Sequence, residues 1–208
     1  MNFKKERVGN MFVIGITGGV GSGKSLVAKL ASKKYNAGLL IADELGHVVM
    51  EAGNPGYNKI VEKFGSGILG EEGNIDRKKL ADIIFNNDKA RLELNSIIHP
   101  EVIKYIEKYI NDRKGQDGYI ILETAIMYET GCDKLCDETW YIHVPADIRI
   151  KRLSAGRGYT EEKSRAIIAK QKPDSFFIER AGRVIENSGS IKDLENELAM
   201  LPDNLKDD

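Results

Sequence analysis

The chain has 208 residues, 41 % of them hydrophobic, and its 31 basic and 32 acidic side chains leave a net charge of −1. That length suits one α/β domain with an insertion and a sizeable buried core. The charge balance argues against a broad nucleic-acid footprint, no apolar run is long enough to span a membrane, and two cysteines with three histidines are too few for a structural zinc site.

Lys4, Lys5 and Arg7 precede an apolar stretch in the manner of a signal peptide. The stretch is only Met11 to Ile16 before glycines begin, and no small-residue cleavage site follows. Residues 1–10 are therefore expected to be a flexible extension, the protein cytoplasmic, and Met11–Ile16 a first strand. That strand leads into Gly18-Gly19-Val20-Gly21-Ser22-Gly23-Lys24-Ser25, which reads G-x-x-x-x-G-K-S, and the helix-competent run Leu26–Lys34 follows. Strand, glycine loop and helix are the context that makes this pattern a phosphate-binding P-loop. Glycines let the backbone approach the phosphates, and the helix start adds partial positive charge. Lys24 is expected to reach the β- and γ-phosphates of ATP, and the Ser25 hydroxyl to ligate Mg²⁺.

Leu39–Ala42 reads as a short strand ending at Asp43. A carboxylate there either accepts the proton of an attacking hydroxyl or holds Mg²⁺ through water, or else it caps a helix beginning at Glu44. Residues 44–113 read as mostly helical, with helices at Ile75–Asn86 and Pro100–Tyr109 and a loop at Gly65–Gly73. His99-Pro100 reads as a plain helix start.

Tyr119–Leu122 is a continuous apolar run, as in a buried parallel strand, and Glu123 follows it. Glu123 either supports the metal or is a polar loop residue at the sheet edge. Cys132 and Cys136 read as reduced structural thiols. Thr139–Val144 is the next strand, and Ala146–Ser154 a helix broken by Gly156-Arg157-Gly158.

Arg149, Arg152 and Arg157 cluster around that break. They suit a segment that closes on a phosphoryl group and neutralises it, Arg157 before Arg149; the alternative is a solvated helix face. Thr160 can cap the following helix. Val184-Ile185 is a last strand, Asn187 reads a base or makes a turn, and Ile191–Leu201 closes the chain as a helix. Strands alternating with helices predict a three-layer α/β fold around a parallel sheet. Its ligands lie at the strand carboxyl ends, where Gly18, Asp43 and Glu123 stand.

With these residues placed, the chain from Met11 to about Gly189 resembles the dephospho-coenzyme A kinases. The likeness rests on Ile14 through Ser25 with its Thr17-Gly18-Gly19, on Ala42-Asp43, and on Phe64-Gly65, Ile68-Leu69, Gly73 and Asp76-Arg77 in the family's order. Leu80, Phe85, Leu94-Asn95 and Ile98-His99-Pro100 continue it, as do Cys136-Asp137-Glu138-Thr139-Trp140 and Val184-Ile185-Glu186-Asn187-Ser188-Gly189. Four positions depart from the pattern: Ile41 and Gly182 replace aspartates, Ala125-Ile126-Met127-Tyr128-Glu129 lacks the family's proline, and the lid's Arg-Asp reads Gly156-Arg157.

The resemblance implies a P-loop NTP hydrolase-like fold and ATP-dependent phosphorylation of the ribose 3′-hydroxyl of dephospho-CoA, the last step of CoA synthesis. Three parts are implied. A nucleotide core comprises residues 11–43, 114–145 and 172–208, a helical acceptor domain 44–113, and a lid 146–171. Asp43 would be the base, with Lys24 and Arg157 also catalytic. Gly19, Val20, Gly21, Ser22, Gly23, Lys24, Ser25, Leu26, Arg152 and Asn187 would hold the nucleotide. Thr17, Asp43, Arg77, His99 and Glu123 would hold the acceptor. The expected cofactors are ATP and Mg²⁺, the partner a small molecule rather than nucleic acid or membrane, and the assembly a monomer or weak homo-oligomer. The rival readings are another small-molecule P-loop kinase, acting on a nucleoside monophosphate or a sugar, and a nucleotide-binding module without turnover.

Overall fold

The computed structural model describes residues 11–85 and 87–205. The extension expected at residues 1–10 lies outside them. The described chain separates into two compact units, one formed by residues up to Ile41 and from Arg113 onward, the other by Ala42–Asp112.

The first unit is built on a five-stranded sheet in the order β2-β3-β1-β4-β5. Its strands are β1 (Met11–Gly18), β2 (Gly38–Ile41), β3 (Gly118–Glu123), β4 (Glu138–His143) and β5 (Arg183–Glu186), and every neighbouring pair is parallel. β1 is the centre. The chain leaves it toward β2 and β3 on one side and later fills β4 and β5 on the other, which opens a crevice at the carboxyl end of β1.

Alternation along the strands sorts the two faces. Ile14, Ile16, Ile121, Trp140, Ile142 and Ile185 face a core shared with Val27, Ala28 and Ala31 of α1 (Lys24–Lys34) and Leu194 and Leu198 of α9 (Ile191–Ala199). On the other face Tyr141 stacks on Phe177 of α8 (Asp174–Ile178), with centroids 4.9 Å apart, and buried Met127 covers Gly15. α9 starts with a capping box between Ser190 and Asp193.

Two further helices complete this unit, α6 (Ala146–Arg157) and α7 (Glu161–Ala169). Thr160 caps α7, its hydroxyl accepting the Lys163 N–H at 3.2 Å. The break expected at Gly156 is not there: α6 continues through Gly156 and Arg157. A glycine is tolerated inside a helix at a cost of about 1 kcal/mol. This helix ends at Gly158, which takes the left-handed conformation at φ 62°.

The second unit packs α2 (Ala42–Val48), α3 (Pro55–Phe64), α4 (Arg77–Phe85) and α5 (Asp88–Asn111). Its centre is Ile60, Ile68, Leu80 and Leu94. Pro100 does not start a helix, as its position had suggested, but lies inside α5. Asn87 caps that helix by accepting the Ala90 N–H at 3.0 Å, and Ala90, Leu94, Val102 and Ile106 bury one stripe running past the proline. Burial of that stripe outweighs the single donor the proline withholds.

Candidate active site

The loop after β1 is shaped by its glycines. Gly21 and Gly23 stand at φ 79° and 82°, in the left-handed region that favours glycine. A Cβ on Gly18 would come 2.8 Å from the Ile142 carbonyl, and one on Gly19 would run into the guanidinium of Arg149. Gly23 is the N-cap of α1; no side chain caps the helix, and its first turn carries no acid. A helix start with neither a capping side chain nor an acid is suited to receiving an anion. The hydroxyls of Thr17 and Ser22 are buried without a hydrogen-bond partner among the described residues. Uncapped amides, orphaned hydroxyls and left-handed glycines fit the phosphates of a nucleotide. Lys24 reaches back over this loop, its Nζ donating to the Gly19 carbonyl at 3.3 Å.

Ser25 and Glu123 meet: the serine hydroxyl donates to Glu123 Oε2 at 3.1 Å. Glu123 ends β3, an interior strand, and is 4 % exposed, so it is not an edge-loop residue. A hydroxyl beside a buried carboxylate is an oxygen donor set of the kind Mg²⁺ takes. Asn187, just past β5, donates from Nδ2 to the Ser22 carbonyl at 2.8 Å and lies where a Cβ on Gly23 would sit. It braces the loop in this structure. Arg152 Nη2 is 3.4 Å from the Gly189 carbonyl. Arg157 is exposed at the end of α6, whereas Arg149, earlier in that helix, is 5 % exposed and lies on the loop. Burial pulls the Arg149 pKa below its usual value, with Tyr141 and Asp174 acting to restore it. The sequence favours Arg157 for the mobility its flanking glycines would give, and does not show that Arg149 faces the loop.

Three expected residues belong to the helical unit. Asp43 is exposed in the first turn of α2, two residues beyond the end of β2. It is not the N-cap of a helix starting at Glu44, because α2 already begins at Ala42. Arg77 is the exposed first residue of α4. His99 is half-buried within α5, and burial lowers its pKa from 6.5. Gly182, one of the sequence departures, abuts Glu138: a Cβ there would sit 3.0 Å from the Glu138 side chain, which pairs with Arg183 at 3.1 Å.

A parallel sheet in this order, with a glycine loop between its central strand and α1 and a carboxylate facing the loop serine, defines a P-loop nucleotide-binding protein of the α/β class. The comparisons narrow the class. The family model for dephospho-CoA kinase matches residues 12–193, and the chain belongs to that family. It is 38 % identical to the dephospho-CoA kinase of Carboxydothermus hydrogenoformans, over 89 % of this chain and 90 % of that one. With the enzyme of that name from Bacillus licheniformis the identity is 40 %, over 92 % and 95 %. Among solved structures, TT1252 from Thermus thermophilus superimposes with a TM-score of 0.73 at 29 % identity, covering 91 % of this chain and 95 % of that one.

Proposed function

We infer that the protein transfers the γ-phosphoryl group of ATP to the ribose 3′-hydroxyl of dephospho-CoA, giving CoA and ADP in the final step of CoA biosynthesis. The observation that carries this reading is the joint one: membership of the dephospho-CoA kinase family over residues 12–193, together with an intact phosphate loop whose serine meets a buried carboxylate. As a P-loop kinase it uses ATP.

The residues divide the work. The amides of the loop and of the α1 start bind the β- and γ-phosphates, and Lys24 swings from the Gly19 carbonyl to bridge them. Ser25 and Glu123 would hold Mg²⁺, which neutralises phosphate charge when bound. Asp43 takes the proton from the attacking hydroxyl. Arg77 and His99 serve the acceptor from the helical unit, and the segment 146–171 closes as a lid, with Arg152 and Arg157 as its cations. Little covalent chemistry is asked of the protein, so the acceleration comes from positioning and electrostatics. Incubation with Mg-ATP and dephospho-CoA, read by mass spectrometry, tests the reading. CoA and ADP in equal amounts are expected, and a folded, ATP-binding protein that makes no CoA would overturn it.

A further inference from the structure

One contact of the phosphate loop is not accounted for by the roles above. Both polar groups of the Val20 backbone are taken by side chains from the α6–α7 segment. The Val20 N–H donates to Gln171 Oε1 at 3.2 Å, and the Val20 carbonyl accepts from Arg149 Nε at 2.8 Å. Arg149 Nη2 also donates to Gln171 Oε1, which closes the ring. Arg149 lies in the first turns of α6 and Gln171 just beyond α7, so the two stems of that helical pair meet on one loop residue.

We propose that Gln171, with Arg149, is a positioning residue of the phosphate loop, and that this clasp sets the direction of the loop amides that receive the ATP phosphates. The proposal rests on the reading of the loop as an ATP site.

The geometry gives the reason. In a trans peptide the C=O and N–H point to opposite sides. Holding the Val20 carbonyl against Arg149 therefore turns the Gly21 N–H away from Arg149. Holding the Val20 N–H against Gln171 turns the Gly19 carbonyl the other way, toward Lys24 Nζ at 3.3 Å and the Ser22 N–H at 3.2 Å. Val20 is flanked by Gly19 and Gly21, whose backbones rotate more freely than any other residue's. Without the clasp these two peptides would sample several orientations, and ATP would have to order them on binding. The clasp also explains Gly19, where the Arg149 guanidinium fills the space a Cβ would need. Arg149 is suited to the task because its planar fork holds its donors to a carbonyl and an amide oxygen in fixed directions, where a lysine offers a point charge on a flexible stem.

The test uses Gln171→Met, which keeps the side chain's length and removes the acceptor, and Gln171→Glu, which keeps the acceptor. In wild type and Gln171→Glu the Val20 amide is expected to be protected from hydrogen exchange, measured by NMR. In Gln171→Met it should exchange at least about tenfold faster, and ATP affinity should fall on the order of tenfold, as for one lost part-buried hydrogen bond. The KM for dephospho-CoA should stay put. Unchanged ATP affinity and exchange in a folded Gln171→Met would overturn the proposal, as would a wild-type Val20 amide that exchanges like an exposed loop amide. The second result needs no variant, so a Gln171→Met that fails to fold leaves the question decidable. Failure of wild-type protein to bind ATP at all would instead overturn the reading of the site.

Discussion

Ser25 and Glu123 join the start of α1 to the end of β3: the serine hydroxyl donates to the carboxylate across 3.1 Å, with the acid 4 % exposed. This bond fixes the rotamer of the residue assigned to the metal and keeps the carboxylate compensated in the core.

Removal of the acid should therefore act through the metal. Glu123→Gln is expected to lower kcat on the order of 10–100-fold and to raise the Mg²⁺ concentration needed for half-maximal rate. A Mg²⁺ titration of initial rates checks this. Equal Mg²⁺ dependence in both proteins would leave the carboxylate with a structural role only.

Asp43→Asn should reduce turnover by roughly 10²–10⁴-fold, the usual share of a general base, with ATP affinity nearly intact. Calorimetry with ATP and single-turnover rates separate the two. Retained turnover in a folded variant would remove Asp43 as the base.

Gly19→Ala should push aside the Arg149 guanidinium, the movable end of its side chain, so ATP binding should weaken while stability falls by only about 1 kcal/mol. Gly67→Ala is the control: among the described residues nothing lies within 4 Å of a Cβ there, and its φ is not left-handed. Thermal melts and ATP titrations of both should show the loss at Gly19 alone.

Acid should weaken the helical unit in two stages. Burial lowers the His99 pKa from its ordinary 6.5, so the folded protein resists protonation there and stability falls as pH drops through that value. Glu101, held by hydrogen bonds from Lys59 and Lys104, titrates below its ordinary 4.5, and the stability it supplies is lost at still lower pH. Urea unfolding at about pH 7.5 and about pH 5.5 reads the first stage. His99→Gln should flatten that slope, and an unchanged slope would mean the histidine is not its source.

Much of this fold was legible because its strands are buried on both faces and read as short apolar runs: Ile120 to Leu122 and Trp140 to Ile142 are fully or nearly fully buried. The phosphate loop was legible because its geometry demands glycines at fixed spacing. What escaped was decided by tertiary packing. Pro100 stays helical because a long buried stripe holds α5 together, and α6 runs through Gly156 because only Gly158 takes the left-handed turn. Arg149 stood out only as one of three clustered arginines, with nothing to show that it faces the loop, and Gln171 left no local signal, since a glutamine after a helix looks like a surface residue. In the structure their mark is Gly19, whose φ does not require a glycine but whose Cβ position lies against the Arg149 guanidinium.

The most direct test of the account is acceptor selectivity with the site of phosphorylation defined. We would measure kcat/KM with Mg-ATP for dephospho-CoA, AMP and shikimate, and place the new phosphate by phosphorus NMR. The account predicts a preference for dephospho-CoA on the order of 10²-fold or more, with the phosphate on the ribose 3′-oxygen. Comparable rates with AMP or shikimate, or a phosphate at another position, would contradict it.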